Sequence, residues 1–125
     1  MADVTVKKFD DLESYQGPAG RPSGGFLYAG KGLGVTAWGM NALRLPPSWP
    51  DYPDHDHKSD GQEEVYVVLE GSATLEAGGE TWDLRPGTLA RVGAGQKRKI
   101  RPGSKGATIL ALGGTPGKAY EPRRR

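Results

Sequence analysis

Beyond residue 25 the chain is a succession of short apolar runs broken by glycine and proline. Phe26-Leu27-Tyr28-Ala29 is one such run. A longer one spans residues 33–45 and carries Val35, Ala37, Trp38, Met40 and Leu43 before Pro46-Pro47 ends it. Proline cannot donate to a strand ladder, so the pair marks a boundary. From Glu64 onward the runs come at regular spacing, with strands expected over 64–69, 73–77, 80–84, 88–92, 96–101 and 107–112. Gly71, Gly78-Gly79, Pro86-Gly87, Gly93-Ala94-Gly95 and Pro102-Gly103 punctuate them as turns. No segment after residue 15 shows helical periodicity. Phe9 and Leu12, with Asp10 and Asp11 beside them, predict one short helical turn near the start. Residues 1–25 thus read as an N-terminal arm with a Gly/Pro-rich loop from Gly17, residues 26–115 as one all-β domain, and 116–125 as a flexible basic tail ending in Arg123-Arg124-Arg125. Many short strands at this spacing predict an antiparallel sandwich or barrel.

Composition narrows the chemistry. Twenty glycines and ten prolines in 125 residues fit a turn-rich β domain of modest core. There is no cysteine, which excludes disulfides, thiolate metal sites and thiol nucleophiles. The formal charge of +2 is too small to demand an anionic macromolecule. Lys97, Arg98, Lys99, Arg101 and Lys105 form a basic run. Strand alternation splits it between two faces, and no aromatic residue is interleaved, so nucleic-acid binding is not expected. No apolar run approaches membrane-spanning length, and residues 1–8 lack the apolar core of a secretion signal, so a cytoplasmic location is expected.

The two histidines of the chain are His55 and His57, one residue apart. On an extended segment, residues two apart face the same way, so both imidazoles share a side. Glu64 opens the next apolar run. Two neutral imidazoles and a carboxylate suit a divalent transition metal.

With these residues in place, the chain resembles the cupins, small barrels of the double-stranded β-helix or jelly-roll type. Their first motif runs glycine, five residues, His-x-His, a short gap, Glu, six residues, glycine. Here His55-Asp56-His57 supplies the histidines, and Glu64, with six residues between it and Gly71, takes the carboxylate position in preference to Glu63. The gap before Glu64 is six residues long and holds Ser59-Asp60-Gly61, a small insertion. Trp49 stands where the leading glycine belongs. The second motif runs glycine, five residues, Pro-x-Gly, two residues, histidine. Gly87, Gly95 and the spacing are kept, but Gly93 replaces the proline and Arg98 the histidine. The resemblance covers roughly residues 33–113. It implies an all-β cupin barrel, a metal held by His55, His57 and Glu64 (iron, manganese, nickel or zinc), and a homodimer. For the dimer, the apolar outer face of Val65 and Val67 is further support.

Arginine has no lone pair to give a metal, so Arg98 cannot replace the fourth ligand. Three arrangements stay open. In one, His55, His57 and Glu64 bind the metal while Arg98 clamps a substrate's carboxylate or phosphate. In another the site is metal-free, Arg98 pairs with Glu64, and the pocket binds a small anion or does acid–base work. In the third, the pair is structural, in a site without function. Alternation turns Arg98, Gln96 and Ile100 inward, so Gln96 is a candidate lining residue, as is Tyr66, which shares Glu64's side. Asp60 or Glu63 could orient an imidazole through its second nitrogen. Arg44 is a second anion-binding candidate, with a plain surface role as its alternative. Trp38, Met40 and Trp82 are read as core or dimer contacts, Val68 as core, and Asp56 as solvent-facing. The leading expectation is a metal-dependent enzyme acting on an anionic small molecule, with oxygenase, isomerase or decarboxylase chemistry open. A non-catalytic binding module, or a structural barrel with a metal-free site, is the alternative.

Overall fold

In the computed structural model, residues 2–15 and 25–121 are described. The loop over 17–24 and the Arg123–Arg125 tail lie outside the described residues. The chain forms strands β1 (Phe26–Leu27), β2 (Gly39–Leu45), β3 (Glu63–Ala77), β4 (Glu80–Leu84), β5 (Leu89–Val92) and β6 (Lys99–Gly114), with a short helix α1 (Ala29–Leu33) between β1 and β2. All pairings are antiparallel, in the order β1-β2-β6-β3-β4, with β5 also on β3. The expected all-β barrel architecture is what the chain adopts.

Two expectations of turns fail in an instructive way. Gly71 and Pro102-Gly103 do not end strands. They lie inside β3 and β6, two long strands that pair along most of their length. The register skips between Val68 and Glu70 and again between Gly71 and Ala73, so the pair is bulged there. Gly71 (φ 74°) meets Gly106 (φ 76°) at this point, and a Cβ on Gly71 would lie 2.0 Å from Gly106 O. No side chain fits that approach. The bend lets one half of β3 pair with β5 (Glu64↔Val92 to Val67↔Leu89) and the other half with β4 (Ala73↔Leu84 to Ala77↔Glu80).

A third expectation is corrected at the start of the barrel. The strand expected over 33–45 begins only at Gly39, and Ala29–Leu33 is helical. Five residues with two glycines are too short to show helical periodicity. Gly34, left-handed at φ 79°, ends the helix. The helical turn expected near Phe9 is present as a 3-10 turn, Phe9–Asp11.

Alternation sorts the side chains of β3. Tyr66 and Val68 are buried, while Val65 and Val67 are half-buried on the outer side. The barrel interior holds Leu43, Leu45, Tyr52, Tyr66, Val68, Leu75, Leu84, Val92, Ile100 and Ile109. A second, smaller cluster lies on the outer face of β2 and β6, where Phe9, Leu12, Met40 and Leu110 cover Leu27, Ala29 and Ala42. Ion pairs Arg44–Asp10 and Lys31–Glu13, each 2.8 Å, hold the arm down at its rim. Arg44 therefore has the surface role. Trp38 and Trp82 are exposed and are not core.

Candidate metal centre

The site lies where an extended segment crosses the end of the barrel. Residues 55–57 run antiparallel to residues 94–98: His55 N–H donates to Arg98 O (3.0 Å), Arg98 N–H to His55 O (2.8 Å), and His57 N–H to Ala94 O (2.8 Å). Backbone pairing thus fixes both histidines and Arg98 in one frame. The imidazoles stand side by side, ring centres 5.3 Å apart and nearly perpendicular. Glu64, at the start of β3, projects between them.

Each imidazole is held through Nδ1. His55 Nδ1 lies 3.0 Å from Pro53 O, which can only accept, so Nδ1 carries the proton. His57 Nδ1 lies 3.2 Å from both oxygens of Asp60 and donates likewise. Asp60 is fixed in turn: its Oδ1 accepts from Gln62 N–H (3.0 Å) and its carbonyl from Thr115 Oγ1 (2.9 Å). The small insertion before Glu64 therefore supplies the carboxylate that orients an imidazole. Glu63 does not share that role, because it pairs outward with Arg91.

In the form that carries its ring proton on Nδ1 alone, each imidazole has a lone pair at Nε2 to offer. His55 Nε2 is 3.8 Å and His57 Nε2 3.7 Å from Glu64 Oε1. These spacings are too long for hydrogen bonds. These three donor atoms lie within 4.8 Å of one another and could hold a cation between them. His57 Nε2 is buried with no hydrogen-bond partner, the condition a metal would relieve. The donor set thus fits a divalent metal with two imidazole nitrogens and one carboxylate oxygen.

Electrostatics support the ionised carboxylate. Burial alone pushes the Glu64 carboxyl up, but the attraction of His55, the hydrogen bond from Tyr66 and the nearby His57 outweigh it, and its pKa is lowered. The pKa of His55 is raised, chiefly by Glu64, against burial and the Arg98 charge. The Tyr66 hydroxyl donates to Glu64 Oε1 and is pushed up, first by burial and then by Tyr52 and Glu64, so it stays a donor.

Arg98 is fully buried. Its Nη1 donates to Glu64 Oε1 (3.2 Å) and its Nη2 to Gly93 O (2.9 Å). It therefore takes the side of Glu64, as in the second and third arrangements above. Gln96 departs from expectation. Residues 93–96 form a turn (Gln96 N–H to Gly93 O, 3.2 Å), so inward alternation starts only at Arg98. Gln96 is exposed, and its Nε2 donates to Lys97 O. It does not line the site. Sequence reasoning passed over Tyr52, which is buried and packs against His55 with ring centres 5.9 Å apart. The one available signal was its place three residues before the histidine pair.

The comparisons with known proteins agree with the barrel fold. A family model described as the cupin domain matches residues 42–112, more than half of the chain. The chain belongs to the cupins. A cupin protein from Bacteroides fragilis is 20% identical, with 90% of this chain and 92% of that one covered at a TM-score of 0.65. A structure named as a sugar phosphate isomerase of the cupin superfamily, from Silicibacter pomeroyi, is 25% identical, with 87% and 74% covered at 0.71. The cupin domain of a transcriptional regulator of the XRE family from Enterobacter cloacae is 19% identical, with 72% and 87% covered at 0.55. No curated protein matches the chain. The cupin barrel carries both enzymes and regulators, so the barrel itself does not choose a function.

Proposed function

We propose that this cupin is a metal-dependent enzyme acting on an anionic small molecule, with His55, His57 and Glu64 as the metal ligands. The observation that carries the reading is the convergence of two Nε2 lone pairs and one carboxylate oxygen, each imidazole held by an acceptor at Nδ1. A bound divalent metal would supply Lewis-acid polarisation of a substrate oxygen. Around it, Tyr66 and Arg98 hold Glu64 in one orientation, and Asp60 does the same for His57. His55 has the most exposed ligand side chain, at 30%, and marks the side from which a ligand enters. The likeness to the Silicibacter pomeroyi protein favours isomerase chemistry on a phosphorylated sugar over the oxygenase and decarboxylase alternatives. Among the described residues no helix is long and apolar enough to cross a membrane. The reading places the enzyme in the cytoplasm as a homodimer joined through the outer face around Val65 and Val67.

The test is the metal content of untagged protein purified without chelators, repeated on His57→Ala. About one equivalent of metal per chain, lost in the variant, is the expected result. Absence of stoichiometric metal from the wild-type protein would sink this reading. It would favour the second one, a metal-free pocket in which the buried Arg98–Glu64 pair is itself the centre, and the distance of 3.2 Å between those partners is what recommends it.

A further inference from the structure

Arg98 stands where the second cupin motif ends in histidine, and it is the one buried charged side chain among the described residues. Two of its nitrogens are engaged by Glu64 and Gly93. Its Nε is buried without a partner, and so is His57 Nε2. These observations bear on charge. Glu64 and Arg98 cancel when nothing else is bound. A divalent cation taken by His55, His57 and Glu64 adds two positive charges next to a guanidinium that cannot lose its proton. The carboxylate oxygen facing both imidazoles is also the one Arg98 donates to. Arg98 is fully buried and Glu64 largely so, and between buried groups that repulsion is only weakly screened. A histidine at this position would bring a lone pair and no charge. Arginine brings a charge and no lone pair, so the loaded site holds a surplus that only an anion removes.

We propose that the metal and a small oxyanion bind here as a coupled pair, with Arg98 as the coupling residue. The oxyanion is the carboxylate or phosphate group of the ligand. It meets the metal's open side and the positive charge together, and each partner tightens the binding of the other. The proposal rests on the metal-centre reading above and adds to it an order of preference: metal binds more tightly with the anion than without it.

Titration of the full chain with Co²⁺ tests it, with heat and visible absorption as readouts. One series is run in sodium perchlorate and one in sodium sulfate of equal ionic strength, at fixed pH. Couplings between sites commonly amount to roughly 5- to 150-fold. The expected result is a Co²⁺ dissociation constant at least about fivefold lower in sulfate, with sulfate affinity raised by the same factor when Co²⁺ is present. Complexation of Co²⁺ by free sulfate works in the opposite direction, so it cannot imitate this result. Arg98→Gln is expected to bind Co²⁺ more tightly than the wild type in perchlorate and to lose the sulfate dependence. Arg98→His, which restores the family's histidine, serves as the second variant. The wild-type pair of titrations decides whether metal and anion are coupled even if neither variant folds. Equal wild-type affinity in the two salts overturns the coupling and leaves the metal centre standing. Sulfate dependence retained in both variants removes Arg98 from the role and overturns the proposal. No Co²⁺ binding in either salt overturns the proposal and the metal-centre reading together.

Discussion

At the scale of single residues, the site is organised around one carboxylate. Glu64 Oε1 receives Tyr66 and Arg98 and faces both imidazoles. Removing its charge leaves Arg98 buried and unpaired, which typically costs about 3–5 kcal/mol. Glu64→Gln is therefore expected to lower the unfolding free energy of the metal-free protein, read from urea denaturation, by that order. A loss below about 1 kcal/mol would show that Arg98 finds another partner, since surface changes stay within about 0.5 kcal/mol. His55 makes a second prediction, in pH. Its folded pKa is raised above 6.5, so the folded chain holds a proton that the unfolded chain releases. Its contribution is fully present below pH 6.5 and fades as pH rises through the folded value. Metal-free wild-type stability should decline over that window, and His55→Gln should flatten the decline. An identical slope in both would remove His55 as its source. How much of this was legible in the sequence follows from register. His55, His57 and Glu64 could be placed because strand parity and motif spacing fix them. Gln96 was misplaced because its turn suspends the alternation, and Tyr52 was missed because its packing on His55 is a contact of irregular chain with no period to read.

At the scale of elements, glycine decides the shape. Turn chemistry correctly located Gly78-Gly79 between β3 and β4, but it also marked Gly71, which is a bulge inside one long strand. The two look alike in sequence because both need a left-handed backbone. What separates them is the partner strand, and that is a long-range fact. A comparison of alanine substitutions makes the difference measurable. At Gly79 (φ 79°) a Cβ meets open space, so only backbone strain of about 1–2 kcal/mol is expected. At Gly71 the same strain is joined by a Cβ 2.0 Å from Gly106 O. The bulge must then shift, and Gly71→Ala should cost clearly more than Gly79→Ala in thermal or urea unfolding. Equal costs would show that β3 and β6 slide apart there without penalty. Because Glu64 lies on the same strand, the damaged bulge should also weaken metal binding, an effect absent from Gly79→Ala.

At the scale of the whole molecule, the outer sheet face is covered at one end and bare at the other. Cross-strand pairing lines up Ala42, Leu110, Val67 and Leu89 across β2, β6, β3 and β5. The arm residues Phe9 and Leu12 bury the first end, so Ala42 is 0% exposed, whereas Leu89 at the far end is 71% exposed. Val4 and Val6 on the arm are likewise bare, at 73% and 84%. Single exposed apolar residues are ordinary, but a row continuous with a covered patch is the kind of surface that marks an interface. Trp38, Val65 and Leu112 line a groove beside it. A second copy of the chain, laid on this face, would cover the bare row while leaving the histidines untouched on the inner side. Leu89→Lys places a charge in that row at no cost to the interior. Light scattering after size exclusion should show a dimer for the wild type and a monomer for the variant, with metal content unchanged. A wild-type protein that is monomeric at tens of micromolar would refute the dimer, and the bare row would then need another occupant.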